Sequence, residues 1–468
     1  MESDNKIRLN EPDETQPLAI VSSTETLELW GEVVDALLKK HEKRNPLMFT
    51  YDSSPLEVVE KLQVDLPYFV IFLQTGKECN NDMFKETMAV VRRLTPGPYA
   101  DCFWGILTAP DVKTALKIAN QTEPLIVKRA ISNSCLNFDK IQEGAVYSEC
   151  HQHESSRKTK GILKPEKVAC PGDLAEEFSY IMREGSDKPI DMFVTSAHAS
   201  KHDWRIGYNF KGGAFIHDKK SHLLAKPEGG GSVPIKSPNP KVLLAVGNCY
   251  MGGVEDGGCM AHAWMKSANV FQMFGYNVVT WFGYAGWGIP KYFIDHAGQY
   301  TLNQAHFSNM QALYFEQAYC GKFDPKYIKG LYYDETAVPF YGDPTWVCKL
   351  ATPGTDEGTT PNYHELEMTE IGDRKYKLVV RVTHEGKWTC PIPNDGGTRP
   401  GRPPVFVFPR RLHKPKVVQG EIVLTGLFAL FPLTGKCHPG DVHEAIIEEA
   451  PIEESGEWPN PHASLGES

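Results

Sequence analysis

The sequence predicts an α/β protein with doubly wound, mostly parallel sheets in two α/β subdomains, followed by a small β-sandwich. Three observations lead there. Apolar runs of strand length alternate with segments of helical period up to about residue 350. Three of the later runs end in small-residue or polar corners, where an open parallel sheet builds its site. Beyond residue 350 the pattern shifts to short alternating runs separated by turn residues.

After a polar N-terminal segment, 1–16, the runs at 17–23, 45–51 and 67–74 read as strands, and 24–42, 55–64 and 83–94 as helices. A strand at 99–107 and a helix at 111–121 complete a first subdomain, 17–124. The second, 125–352, opens with LIVKRAIS, crosses a long polar stretch at 133–172 and resumes with a helix at about 174–184. Three apolar segments follow, 191–200, 241–253 and 277–288, each expected to be a strand with its terminal corner. Between the first two, KPEGGGSVPIKSPNPK is rich in Gly, Pro and Ser and reads as loop. The β-sandwich is expected over 360–448, with an acidic, disordered tail at 449–468.

At 468 residues the chain exceeds what one hydrophobic core supports, hence the expected subdivision. With 59 acidic against 49 basic residues, and no Lys/Arg run able to follow a phosphate backbone, nucleic acid is not an expected partner. No stretch approaches the eighteen apolar residues of a membrane span, and MESDNKIRLNEPDETQ has no apolar core of an export signal. The 11 cysteines are scattered singly without CxxC pairs, which suits free thiols in a reducing, cytoplasmic setting. A removed signal peptide would leave the same appearance and make the chain a secreted one. Cys150, His151 and His153 lie close in sequence, but no second ligand pair follows at zinc-finger spacing, so a solvated loop is expected there and no metal site. The triple glycine at 229–231 neither follows a strand nor opens a helix, so it is not a phosphate loop.

The chemistry concentrates on two corners. His198 follows the apolar run of DMFVTSAHAS, and Cys249 follows that of KVLLAVGNCYMGG. Neighbouring parallel strands bring their carboxyl ends to about 5 Å, so a thiol and an imidazole leaving those ends can share one substrate atom. A nearby imidazolium favours the thiolate, and the same ring can protonate a leaving amine. The small residues at both corners leave the amides of Ala199 and Cys249 sterically free to hold a developing oxyanion.

The order of motifs resembles the gingipain family of caspase-clan cysteine peptidases (peptidase family C25). YADCFWGILTAPDVKTALKIANQT resembles the block that ends the family's first subdomain, and FVTSAHASKHDW its catalytic-His segment, with HAS in place of HGS. KVLLAVGNCYMGG with CMAHAWMKSA resembles the catalytic-Cys segment and its helix. VVTWFGYAGWGIP resembles the strand that comes next, and FYGDPTWVCKL the aromatic-Gly-Asp-Pro signature closing the catalytic domain. These motifs span residues 99–350.

The resemblance implies a caspase/gingipain-like fold with an immunoglobulin-like sandwich after it. It implies a cysteine endopeptidase acting on protein or peptide substrates, with Cys249 as nucleophile and His198 as general acid/base. It further implies that Asp173, at the start of the helix before the His strand, selects Arg or Lys at P1, and that Trp287 walls the same pocket. Asp is equally a favoured helix N-cap. Glu149 and Glu154 are the candidates for an acid orienting His198. No cofactor is required; structural calcium is an expectation from the family, without assignable ligands. Two other functions fit the same frame: a catalytically inactive pseudoenzyme or binding module, and a small-molecule thiol hydrolase or transferase with a closed pocket.

Overall fold

The structure is a computed structural model that describes residues 5–9, 11, 13–134, 136–319, 325–384, 402–433, 437–453 and 456–465. Its centre is one twelve-stranded sheet. In chain order the strands are β1 (Leu18–Ser23), β2 (Leu47–Tyr51), β3 (Phe69–Leu73), β4 (Phe103–Leu107), β5 (Arg129–Asn133), β6 (Glu143–Tyr147), β7 (Glu154–Lys158), β8 (Glu166–Ala169), β9 (Met192–Thr195), β10 (Lys241–Ala245), β11 (Val270–Gly275) and β12 (Phe340–Tyr341). Across the sheet they run β8-β7-β6-β5-β9-β10-β11-β12-β4-β3-β1-β2.

Pairing is parallel throughout the two halves, β2-β1-β3-β4 and β6-β5-β9-β10-β11, and antiparallel along β6-β7-β8. Helices cover the faces, so β1, β3, β4 and β10 are buried at every position, as their mainly apolar sequences require. The two halves meet in β12, antiparallel to β11 and parallel to β4. The two expected sheets are therefore a single surface, closed by the FYGDP segment. Gly342, at φ +112°, lies where a Cβ would strike the Phe271 carbonyl, which only glycine avoids.

Two stretches differ from the sequence reading. The polar stretch at 133–172 contains β6, β7 and β8, whose mixed buried and exposed positions belong to the sheet's half-solvated edge. The segment 277–288 is not a strand. The strand after α1 (Met260–Ala268) is β11, and 277–288 is instead a turn running into α2 (Tyr284–Phe293). A continuous apolar run lacks the period that would separate strand from buried helix. Here Gly283, at φ 94°, starts a helix that buries Tyr284, Ala285, Ile289 and Phe293.

Beyond the large sheet, Lys6–Ile7, His364–Gly372, Lys375–Val382, Val442–Glu448 and Lys416–Gln419 form a five-stranded sheet in that order. Val405–Val407, Phe428–Leu430 and Val423–Leu424 form a three-stranded one. Phe406, Leu424 and Ala429 pack with Leu378, Val380 and Ile447 of the five-stranded sheet. Their alternates Val405, Val407, Val423, Phe428 and Leu430 join the core of the large sheet. The period-2 alternation thus makes one small sheet the shared wall of both cores. The N-terminal segment, expected only as a polar lead-in, supplies the edge strand Lys6–Ile7.

The tail departs from the expected disorder. Ser464 accepts from the Ile422 amide (3.0 Å) and donates to its carbonyl (2.7 Å), the Leu424 amide bonds Pro461, and His462 meets the Tyr99 hydroxyl at 2.5 Å. Trp458, Pro459 and Pro461 line a crevice with Tyr99 and Leu424. Its apolar anchors are few, and composition alone understated them. Among the described residues no helix is long and apolar enough to cross a membrane.

Candidate active site

The site starts from the register of β9 and β10. Thr195 lies opposite Ala245, and the Val246 amide extends the ladder to the Thr195 carbonyl at 3.0 Å. Beyond that bond each chain turns sharply. Ala197 adopts φ 74° and Tyr250 φ 58°, left-handed conformations unusual for side-chain-bearing residues. Such strain persists only where the surroundings enforce it.

Asn248 is the enforcing residue. Fully buried, its side-chain amide donates to the Ser196 carbonyl at 2.5 Å and the Ala197 carbonyl at 3.1 Å, while its oxygen accepts from the Thr195 hydroxyl at 2.6 Å. One side chain therefore ties the corner carrying Cys249 to the corner carrying His198. Trp204 adds a further bond from its indole N–H to the Ser196 carbonyl, 2.7 Å.

Past this clamp, His198, Ala199 and Ser200 fold back on Asp203, Trp204 and Arg205, with the Arg205 amide on the His198 carbonyl (2.9 Å) and the Ser200 amide on the Asp203 carbonyl (2.8 Å). The His198 ring is exposed and stacks on Tyr208, centroids 4.7 Å apart and planes 17° from parallel. Cys249 is half-buried, and its sulfur accepts from the Thr280 amide at 3.3 Å. Its loop is pinned by Tyr250 N–H to Val278 and Gly252 N–H to Tyr276. Gly252 is required there because a Cβ would collide with the Gly275 carbonyl. Val279 and Trp281, on either side of Thr280, are exposed and give the site an apolar rim. Among the described residues, the amides of Ala199 and Cys249 donate to no other group.

The remaining expected residues separate. Trp287, on α2, lies against the Cys corner: a Cβ on Gly247 would come within 3.0 Å of its ring and 2.5 Å of the Ser196 hydroxyl. Asp173 caps the helix Leu174–Ile181. One of its oxygens takes the Ala175 and Glu176 amides (3.1 and 3.4 Å) and the other the Glu228 amide at 2.6 Å. None of these partners belongs to the corners of His198 and Cys249. Glu154 is exposed at the start of β7, its carbonyl accepting from the Ser148 amide at 2.9 Å.

Glu149 comes to the His corner. Its carbonyl accepts from the Tyr208 amide at 2.5 Å, and its carboxylate adjoins the Ser196 side chain. One carboxylate oxygen is buried without a hydrogen-bond partner. Burial pushes this carboxyl above its ordinary range, and contact with Ser196 offsets part of that rise. A chain of contacts thus runs from Glu149 through Ser196 to Gly247 and Trp287. Asn248, Tyr208 and Thr280 were not singled out by sequence. Asn248 was visible beside Cys249, but its role depends on strand register.

Cys135, Cys320 and Cys390, expected as thiols, lie outside the described residues; Cys79, Cys102, Cys150, Cys170, Cys249, Cys259 and Cys348 are free thiols. Among the described residues no group of three or more His, Cys, Asp and Glu side chains could hold a metal ion. In the Cys150–His153 loop, His153 instead bonds the Cys170 carbonyl.

No protein-family model matches the chain, and neither does any curated protein sequence. Among solved structures it is similar to the Arg-specific cysteine proteinase gingipain R (RgpB), at 9% identity over 96% of this chain and 94% of that one, with a TM-score of 0.43. It is also similar to the complex of Porphyromonas gingivalis RgpB pro- and mature domains, at 10% identity over 94% of each chain, TM-score 0.43.

Proposed function

We propose that the chain is a cysteine endopeptidase that cleaves protein or peptide substrates after a basic residue. The observation that carries the reading is the Asn248 clamp, which holds the Cys249 and His198 corners side by side at the ends of paired strands. Cys249 Sγ attacks the scissile carbonyl carbon as His198 takes the thiol proton. The tetrahedral oxyanion sits against the amides of Ala199 and Cys249. Collapse passes the proton from His198 to the leaving amine and leaves a thioester, which water, deprotonated by His198, hydrolyses.

The basic P1 preference is assigned to Glu149, with Trp287 as the wall of the pocket. A guanidinium or ammonium brought beside Ser196 and Gly247 would supply the partner that the buried Glu149 oxygen lacks. Asp173, its oxygens committed to three amides, is given the capping role.

A positional-scanning peptide library tests the reading on the full chain. Cleavage is expected after Arg and Lys, with one cysteine labelled by a basic-P1 acyloxymethyl ketone. Full activity in Cys249→Ala, or no turnover by the wild type on any peptide, overturns it; the latter result favours a binding module.

A further inference from the structure

A general acid/base needs its ring held in place, usually by an acid bonded to one ring nitrogen. Among the described residues no group hydrogen-bonds either nitrogen of His198. The acids of its neighbourhood are engaged elsewhere. Asp203 takes the Ser200 hydroxyl on one oxygen and faces the Arg205 guanidinium at 3.4 Å with the other. Glu149 presents its carboxylate to Ser196. What the imidazole does touch is the ring of Tyr208, with centroids 4.7 Å apart and planes 17° from parallel.

Backbone bonds fix both partners of this stack. The strand Asp203–Arg205 pairs with Ala214–His217, and residues 206–213 close the hairpin between them. The turn is fastened at its base by the Ile206 amide on the Gly213 carbonyl (2.9 Å) and the Gly212 amide on the Ile206 carbonyl (3.0 Å), with Ile206 buried. Gly207 adopts φ +91°, where a Cβ would meet the Phe210 carbonyl at 2.8 Å, so only glycine allows the chain to bend there. The bend leads directly into Tyr208, whose amide bonds the Glu149 carbonyl at 2.5 Å. The strand that launches the turn also holds His198 itself, through the Arg205 amide on the His198 carbonyl (2.9 Å).

We propose that Tyr208 is a positioning residue of the active site, and that its ring, in place of a carboxylate, sets the plane of the His198 imidazole. The inference rests on the reading of His198 as the general acid/base. Offset-stacked rings attract through their faces. The nitrogens lie at the edge of the imidazole, so the stack fixes the plane and leaves both of them open to the thiol of Cys249 and to the leaving amine. An acid would occupy one nitrogen and select one tautomer; a stacked ring does neither, and it keeps its hold whichever nitrogen carries the proton. Tyr208 is 55% exposed and adds little to the core, so replacing it should leave the hairpin folded.

The test uses the full chain with carbon-13 at Cε1 of its 16 histidines, read by proton–carbon NMR, where the signal missing from His198→Gln belongs to His198. A ring stacked on a phenol is shielded by it, so the His198 Cε1–H is expected upfield of an exposed histidine. Tyr208→Ala and Tyr208→Leu should return it to the exposed position, and Tyr208→Phe should keep it upfield. On basic-P1 peptides, Tyr208→Ala should lower kcat about tenfold with little change in KM, the upper end of what one ring–ring contact contributes. Tyr208→Phe should restore most of the loss. Melting curves confirm that the variants fold, and Tyr208→Leu, which keeps apolar bulk without a ring, decides if the alanine variant does not. A His198 signal that is not upfield in the wild type, or that stays upfield in Tyr208→Leu, overturns the proposal. So does a shift that is lost while kcat holds. A wild type without turnover defeats the peptidase reading instead, and the histidine spectrum then decides on its own whether Tyr208 holds the ring.

Discussion

The clamp at Asn248 makes the sharpest claim about a single side chain. Asn248→Asp keeps its size but replaces an N–H donor with an oxygen facing the carbonyls of Ser196 and Ala197. Losing such a bond and leaving buried acceptors unpaired costs about 1–3 kcal/mol. The strained turn at Ala197 would relax, so kcat/KM is expected to fall at least about 100-fold while far-UV circular dichroism stays native, since misplacement by about 1 Å has that effect on a catalytic pair. Unchanged kcat/KM would detach the clamp from catalysis. The two acidic candidates part in the same way. Glu149→Gln should lower kcat/KM for Arg and Lys at P1 by roughly 100-fold with little change for neutral P1 residues. Asp173→Asn should leave that ratio intact and cost about 0.5–2 kcal/mol in a denaturant melt, as a weakened helix cap does. Because burial holds the Glu149 carboxyl above its ordinary range, its charge is lost on acidification earlier than an exposed carboxylate's. The basic P1 preference should therefore fade at a higher pH than about 4.3, and a selectivity profile against pH measures it.

At the level of elements, legibility followed period and contrast. β1, β3, β9, β10 and α1 stood out because each is a compact apolar or amphipathic run bounded by polar residues. Edge strands β6–β8 did not, because half their side chains face water and the apolar signal is halved. The run at 277–288 misled for the opposite reason: α2 is buried so widely that no polar face marks its turns. The tail has the weakest signal of all, since two prolines, an indole and an imidazole do its packing. Truncation after residue 453 tests whether that packing matters. It removes both Ser464 bonds to Ile422 and the cover over Tyr99, so thermal stability should drop by an amount on the order of 1–3 kcal/mol, with the P1 profile unchanged. An unaltered melting temperature would return the tail to the status of an appendage.

The molecule as a whole depends on how its halves are joined, and there the FYGDP segment has a structural task. Asp343, fully buried just past β12, receives Lys40 Nζ at 2.7 Å and His41 Nε2 at 2.9 Å from the end of the helix Gly31–Lys40, and also the Thr345 amide and hydroxyl. Gln272 of β11 donates to its carbonyl at 2.7 Å. Burial alone would raise this carboxyl, but Lys40 and His41 outweigh it and hold the group well below the ordinary carboxylate range. The sign follows: a depressed acid contributes stability above its unfolded value of about 3.9, and that contribution is lost as pH falls towards the folded value. Asp343→Asn leaves Lys40 buried without its counter-charge, so near neutral pH the variant should be less stable by about 3–5 kcal/mol. As pH falls below 4 the gap between the two proteins should begin to narrow, closing only towards the folded value, because the wild type gives up what the variant never had. Parallel stability curves down to low pH would show that the join rests on the β12 ladder, and that the charges beside it contribute nothing.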